Sequence, residues 1–336
     1  MNIENLTKVD KERMFETYDL WPEIAKDAHE KDFEKIDAKD IDHIVFAGMG
    51  GSGSIGDTIS AILSKKDIHV SIVKGYTLPK TVDSKSIVIA TSVSGMTDET
   101  IEILRNAKKT DAKIVGFSSG GAMERYCKDN KIFFHKIPMV HSPRASFTRF
   151  LYSILNVLEP ILPIEENEII ESISTLENTK KEIFSGNLTN NNRSLNLAEF
   201  TKDVVAIYYP AGFQSVAIRY KNSLQENTKI HAMTENVIET CHNGVVSWEK
   251  NSVVNPVLIQ GKDDHEKTIE RWKILEDFFK LKKINYMKIN SIDGNILSKV
   301  VNLIYFLDYS TIYSAILNNT DPTLVNSIDY IKSKLR

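Results

Sequence analysis

The sequence predicts an α/β protein with doubly wound parallel sheets, and three observations carry that prediction. Short β-branched runs alternate with helical segments from residue 43 to 137, a second alternation of the same kind begins at Asp203, and two serine-rich loops each follow a strand and open a helix. At 336 residues the chain is too long for one small core and suits two domains.

Residues 8–36 read as one or two helices, broken at Trp21-Pro22, that dock on a domain surface. Strands come next near 43–47, 69–73, 86–91, 113–117 and 132–136, and the helical crossovers between them require parallel pairing. After Pro143 come an apolar helix, Phe147 to Leu158, and an acidic helical segment from Glu165 to about Phe184. The Asn-rich stretch Ser185 to Asn196 reads as a linker. The second alternation runs strand Val204–Tyr209, helix Phe213–Glu226, strand Val254–Gln260, helix His265–Phe279 and strand Ile284–Ile289. Two helical segments, about 294–318 and 322–335, close the chain, with Pro322 suited to the first position of the last helix. These signals divide the chain into residues 1–160, a helical connection over 161–197, and residues 198–336.

The loops are Gly48-Met49-Gly50-Gly51-Ser52-Gly53-Ser54 and Thr91-Ser92-Val93-Ser94-Gly95-Met96-Thr97. In an open parallel sheet the ligand crevice lies outside the carboxyl ends of the strands, so both loops should converge on one site. Gly50 and Gly51 let the backbone approach an anion, while Ser52, Ser92, Ser94 and Thr97 offer hydroxyls where helix N-termini carry partial positive charge. Neither loop contains Lys or Arg, so a phosphate would be held mainly by neutral donors. A single loop of this kind is ordinary capping and turn chemistry; two in tandem are not. The spacing Gly48-x-Gly50-x-x-Gly53 also fits a dinucleotide fingerprint, but the acid expected at the end of the next strand is replaced by Lys74.

A formal net charge of -3, with scattered basic residues, argues against nucleic acid as a partner. No apolar run reads as a membrane span and the N-terminus lacks signal-peptide character, which predicts a cytoplasmic protein. Two cysteines, Cys127 and Cys241, form no disulfide framework or zinc signature, and no cofactor or metal pattern is present in the sequence.

The paired loops resemble those of the sugar isomerase (SIS) domain, a flavodoxin-like fold that binds phosphosugars. The whole chain resembles the bifunctional phosphoglucose/phosphomannose isomerase family. The similarity is carried by Gly48-Met49-Gly50-Gly51-Ser52-Gly53, Ser94-Gly95-x-Thr97-x-Glu99-Thr100, Pro143-Arg144-Ala145, Glu226-Asn227-x-Lys229, Glu239-x-x-His242-Asn243, and Asp321-Pro322 with Ile331-Lys332 further on. Two positions depart from it: Val93 stands where the family has an aromatic residue, and Met96 replaces the Asn of a Ser-Gly-Asn-Thr signature.

The resemblance implies two SIS domains and metal-independent interconversion of glucose 6-phosphate, and of mannose 6-phosphate, with fructose 6-phosphate through a cis-enediolate. It implies a homodimer whose active site forms between the two domains near the subunit interface. By position, Glu226 matches the family's base, Arg144 the residue near the reacting oxygens, His242 the ring-opening residue, and Lys332 a C-terminal lysine on the sugar. Taken singly, Glu226 reads as an exposed helical acid, Arg144 as part of a surface ion pair, and Lys332 as a helix-end lysine that complements the dipole. The alternative, motivated by Met96 and Val93, is a phosphosugar sensor or degenerate isomerase without catalysis. No helix-turn-helix segment or basic patch supplies the output such a sensor needs.

Overall fold

The computed structural model describes residues 1–335. In chain order the elements are α1 (Ile3–Val9), α2 (Met14–Asp19), α3 (Trp21–Glu30), β1 (His43–Ala47), α4 (Gly50–Leu63), β2 (His69–Val73), β3 (Ser86–Ser92), α5 (Asp98–Ala107), β4 (Lys113–Ser118), α6 (Gly121–Asp129), β5 (Phe133–Lys136), α7 (Phe147–Val157) and α8 (Glu166–Ile183). They continue with α9 (Arg193–Phe200), β6 (Val204–Tyr209), α10 (Gln214–Ser223), β7 (His231–Asn236), α11 (Val237–Thr240), β8 (Val254–Gln260), α12 (Glu266–Lys282), β9 (Met287–Asn290), α13 (Ile296–Leu317) and α14 (Asn326–Lys334). Contacts divide the chain into an N-terminal unit, Leu20–Glu177 with Asn295–Ser298, and a C-terminal unit, Met1–Asp19, Asn178–Gly294 and Lys299 onward.

Among its described residues the N-terminal unit holds a five-stranded sheet in the order β2-β1-β3-β4-β5, with every neighbouring pair parallel. β1 and β3 are buried along their whole length, as central strands covered on both faces must be. Their runs, His43-Ile44-Val45-Phe46-Ala47 and Ser86-Ile87-Val88-Ile89-Ala90, pair in register from His43↔Ser86 to Ala47↔Ala90. Val45, Val88, Val73 and Ile103 pack one face, and Ala90, Leu104, Met123 and Cys127 pack around α5 and α6. Burial pushes the Cys127 thiol up to about 12, so it behaves as a small apolar side chain. The strand order reverses direction at β1/β3, and that switch point places the two serine-rich loops side by side.

The C-terminal unit repeats the plan with the sheet β7-β6-β8-β9, also parallel among the described residues. Its core gathers Tyr208, Val237, Trp248, Leu258, Trp272 and Phe279, and the Trp248 indole donates to the Tyr208 hydroxyl at 3.0 Å.

Several boundaries differ from expectation. The first two helices belong to the C-terminal unit: the Tyr18 hydroxyl reaches Asp308 at 3.3 Å, and the hydroxyls of Tyr305 and Tyr309 donate to the Tyr18 carbonyl and to Asp19. The stretch read as a linker contains the start of α9, capped by the Asn192 side chain accepting from the Leu195 amide at 3.0 Å. β7 is an edge strand whose polar sequence His231-Ala232-Met233-Thr234-Glu235-Asn236 gives no strand signal. The last helix begins at Asn326, leaving Pro322 in the preceding bend. α13 is long and apolar enough to cross a membrane by length and composition, which corrects the expectation that no run approaches a span; 94% of that window is buried inside the protein, as in a core helix.

Candidate active site

In the N-terminal unit the first loop is fitted to the second by backbone contact. A Cβ at Gly48 would lie 2.9 Å from the Thr91 carbonyl oxygen, and one at Gly53 would lie 2.6 Å from the Gly48 carbonyl oxygen. The tight turn leaves Met49 as N-cap and starts α4 at Gly50, whose φ of +51° suits glycine. The first amides of α4 have no acceptor within the helix and present an anion-binding end, with Gly50 exposed and Gly51 half-buried. The Ser52 hydroxyl accepts the Val93 amide at 3.0 Å, so the residue expected to bind phosphate also ties the two loops together.

The second loop is braced from within. Ser92 is fully buried; its hydroxyl accepts the Gly95 amide at 3.1 Å and pairs with the Thr97 hydroxyl at 2.8 Å. Ser94 is exposed and its hydroxyl accepts the Met96 amide at 3.3 Å, while half-buried Thr97 stands at the N-cap position of α5 with no capping bond from its side chain. The structure therefore presents Ser94 and Thr97 at the surface of the loop and holds Ser92 beneath it. Val93 is buried, and Met96 is exposed with its sulfur accepting the Ala122 amide at 3.4 Å.

A third loop, Ser118-Ser119-Gly120-Gly121, completes the brace; it is absent from the sequence-based site, although its Ser-Ser-Gly-Gly run after a strand carries the same turn chemistry. The Ser118 hydroxyl donates to the Gly120 carbonyl at 2.7 Å and accepts its amide at 2.8 Å. The Ser119 amide donates to the Val93 carbonyl and the Met123 amide to that of Gly95. Gly95, at φ +67°, is locked against it: a Cβ there would fall 1.8 Å from the Gly120 carbonyl oxygen.

Arg144 joins this cradle through its backbone, since a Cβ at Gly51 would lie 3.2 Å from the Arg144 Cα and 3.3 Å from the Pro143 carbonyl oxygen. The segment is pinned by the Trp21 indole donating to the Ala145 carbonyl at 2.9 Å and by Ser146, whose hydroxyl bridges the Val140 and Ser142 carbonyls. Arg144 is 6% exposed, which corrects its plain reading as a surface residue. Lys74, just after β2, binds Asp57 at 2.5 Å, and its Cε would lie 3.3 Å from a Cβ at Gly53. A groove of about 620 Å³ near α5 and α6, lined by Tyr76, Glu102, Arg105 and Tyr126 among others, contains none of the residues predicted for the site.

The candidate residues of the C-terminal unit sit on three different elements. Glu226 is half-buried and lies not in regular α-helix but in a π-helical turn, Leu224–Thr228, that extends α10. Such turns are rare and concentrate at functional sites. Lys229, at φ +60°, ends the turn, and its ammonium donates to the Glu226 carbonyl at 2.7 Å and to the Asp321 carbonyl at 3.2 Å. His242 is exposed in the bend after α11; its amide donates to the Glu239 carbonyl at 2.9 Å, and the Asn243 side chain donates to the Glu239 carboxylate at 2.7 Å. Glu239 therefore orders the bend that presents the ring. Lys332 is exposed on α14, a helix with no buried residue. Among the described residues no three His, Cys, Asp or Glu side chains form a group able to hold a metal ion.

Comparison with known proteins assigns both halves of the chain to one domain type. Residues 39–157 match the SIS domain family, and residues 190–335 match the bacterial phospho-glucose isomerase C-terminal SIS domain. The chain is 31% identical over 341 aligned residues to the bifunctional phosphoglucose/phosphomannose isomerase of Caldicellulosiruptor bescii, covering 96% of this chain and 98% of that protein. The protein of the same name from Thermoplasma acidophilum is 29% identical, covering 87% of this chain and 89% of the relative. Among solved structures, the C-terminal domain of glucosamine-fructose-6-phosphate aminotransferase from Francisella tularensis superposes with a TM-score of 0.70 at 18% identity, covering 92% of this chain and 97% of that one. That likeness establishes the fold.

Proposed function

The chain belongs to the bifunctional phosphoglucose/phosphomannose isomerase family, and on that premise we propose that it interconverts fructose 6-phosphate with glucose 6-phosphate and mannose 6-phosphate. The observation that supports the reading is the cross-tie between Ser52 and Val93 at the sheet's switch point, which sets the α4 N-terminus beside the loop that carries Ser94 and Thr97. The substrate's phosphate is held there by the amides of Gly50, Gly51 and Ser52 and by the hydroxyls of Ser94 and Thr97, with Ser92 shaping the loop from below.

The chemistry derives from the acidity of a proton next to a carbonyl. His242 moves the proton that opens the sugar ring, and Lys332 holds the ring oxygen or hydroxyls. Glu226 takes the C1 proton of the open ketose, and Arg144 stabilises the oxygens of the resulting cis-enediolate. Carbon 2 of that intermediate is planar, so return of the proton to one face yields the glucose epimer and to the other the mannose epimer. Side chains alone can run this transfer, and the proposed reaction uses no metal. We place the protein in the cytoplasm and, as the family resemblance implies, as a homodimer.

The test is fructose 6-phosphate incubated with the purified protein and chelator in D2O, monitored by NMR. Both aldose phosphates should form, with deuterium at C2. Saturable binding without product would favour a sensor, and activity that vanishes with chelator and returns with a divalent ion would overturn the metal-free mechanism. Glu226→Gln should lower kcat about a thousandfold while substrate still binds.

A further inference from the structure

The π turn that carries Glu226 is held by side chains that the reaction scheme does not use. One extra residue in a helical turn rotates the residues beyond it by about 100° relative to α-helical register. Whether the Glu226 carboxylate points to its working direction thus depends on whether Leu224–Thr228 keeps that extra residue.

Two polar clamps hold the turn, one just before it and one within it, and both are anchored on one stretch of α13. Before the turn, Arg219 Nε and Nη2 donate to Asp308 Oδ2 at 3.0 and 2.6 Å, and the Ser223 hydroxyl donates to Oδ1 at 2.7 Å. The Arg219 and Asp308 side chains are 3% and 0% exposed. Within the turn, the Asn227 side-chain amide (Nδ2) donates to the Thr311 hydroxyl at 2.8 Å, and that hydroxyl donates in turn to the Asp308 carbonyl at 2.6 Å. Asp308 and Thr311 stand three residues apart, so the clamps share one ridge of α13. Glu226 is the residue next to Asn227, so a single peptide unit separates it from the second clamp.

Burial of so many polar groups is weak evidence for added stability, since apolar packing would serve as well; its best-attested use is to fix register. We infer that Thr311, together with Asp308, is a positioning residue for Glu226, holding the π register through Asn227. The inference rests on Glu226 being the base that moves the proton. Loss of the clamp lets the turn relax toward α-helical register and swings the carboxylate away from the reacting carbons. A misplacement of about 1 Å at such a group costs on the order of a hundredfold in rate.

The experiment compares Thr311→Val, which keeps the shape and removes the hydroxyl, with Thr311→Ser, which keeps the hydroxyl, and with Thr311→Ala as a second hydroxyl-free variant. The readouts are kcat and KM for fructose 6-phosphate, inhibition by inorganic phosphate, and melting temperature. Thr311→Val and Thr311→Ala should lower kcat ~10- to 100-fold with KM and phosphate inhibition changed less than about twofold, and Thr311→Ser should restore most of the rate. Added to Glu226→Gln, Thr311→Val should cause no further loss, because a missing base cannot be misplaced. Wild-type kcat in Thr311→Val and Thr311→Ala overturns the positioning role. So does a parallel fall in kcat, phosphate affinity and melting temperature that serine does not rescue. Full turnover in Glu226→Gln alone would instead overturn the assignment of the base, which separates the two failures.

Discussion

The two units repeat one α/β plan but prepare their functional groups by opposite means. In the N-terminal unit the site is made of backbone: Gly48, Gly53 and Gly95 bring main-chain atoms within contact distances that no side chain would permit, and serine hydroxyls staple the loops. In the C-terminal unit the candidate groups are side chains on irregular or exposed elements, aimed by polar contacts that come from far along the chain or from the next turn. A phosphate is a large anion that any convergent set of amides will hold, so a rigid cradle suffices. A proton transfer needs one carboxylate in one direction, which a regular helix offers only by coincidence.

The comparison can be broken most severely at Gly95. Gly95→Ala requires a Cβ 1.8 Å from the Gly120 carbonyl oxygen at a φ of +67°, so it should destabilise the N-terminal unit by about 2–5 kcal/mol and abolish phosphate inhibition. Calorimetry with and without phosphate checks both; an unchanged melting temperature with intact inhibition would mean the loops are not interlocked.

Removing both hydroxyls, Ser94→Ala with Thr97→Ala, should raise KM for fructose 6-phosphate by about a hundredfold, at roughly 1.5 kcal/mol per lost hydrogen bond to a charged group, and should leave kcat nearly unchanged. Initial rates over a substrate series decide it. A fall in kcat at constant KM would move these residues from binding to chemistry.

Ser52→Ala sharpens the contrast further, because it removes only the acceptor for the Val93 amide. An amide left unsatisfied in a buried loop costs about 1–3 kcal/mol, so stability should drop along with substrate affinity. Denaturant midpoints beside KM values test whether the two losses travel together.

The smallest effect is expected in acid. His135 is buried against Phe117 and Phe133, and burial lowers its pKa below the ordinary value. The unfolded chain therefore takes up this proton first as pH falls below about 6.5, and stability is lost from there downward. His135→Phe should flatten the fall in melting temperature between pH 7 and 5 by a few degrees at most. An unchanged slope would assign the acid sensitivity to other groups, of which His43, also lowered by burial and by stacked His69, is the next candidate.

Legibility in the sequence divides along the same line. The two loops are legible because glycine and serine after a β-branched strand state their turn chemistry locally, and the alternation of elements places them at the switch point. Ser118–Gly121 has the same turn chemistry but no signature of its own, so it does not stand out. The π turn at Glu226 reads as plain helix, since the bond that holds it joins Asn227 to Thr311 across 84 residues. The first helices attach to the wrong neighbour on sequence alone for the same reason: Tyr18 meets Asp308 across 290 residues. β7 escapes notice because an edge strand needs no apolar run.

The most direct test of this division of labour is the exchange of the C1 proton of fructose 6-phosphate in D2O, monitored by NMR in wild type and Glu226→Gln at matched fractional saturation. Exchange should be rapid in the wild type and slowed about a thousandfold in the variant, with phosphate inhibition unchanged. Equal exchange in the two proteins, or loss of phosphate binding in the variant, would contradict it.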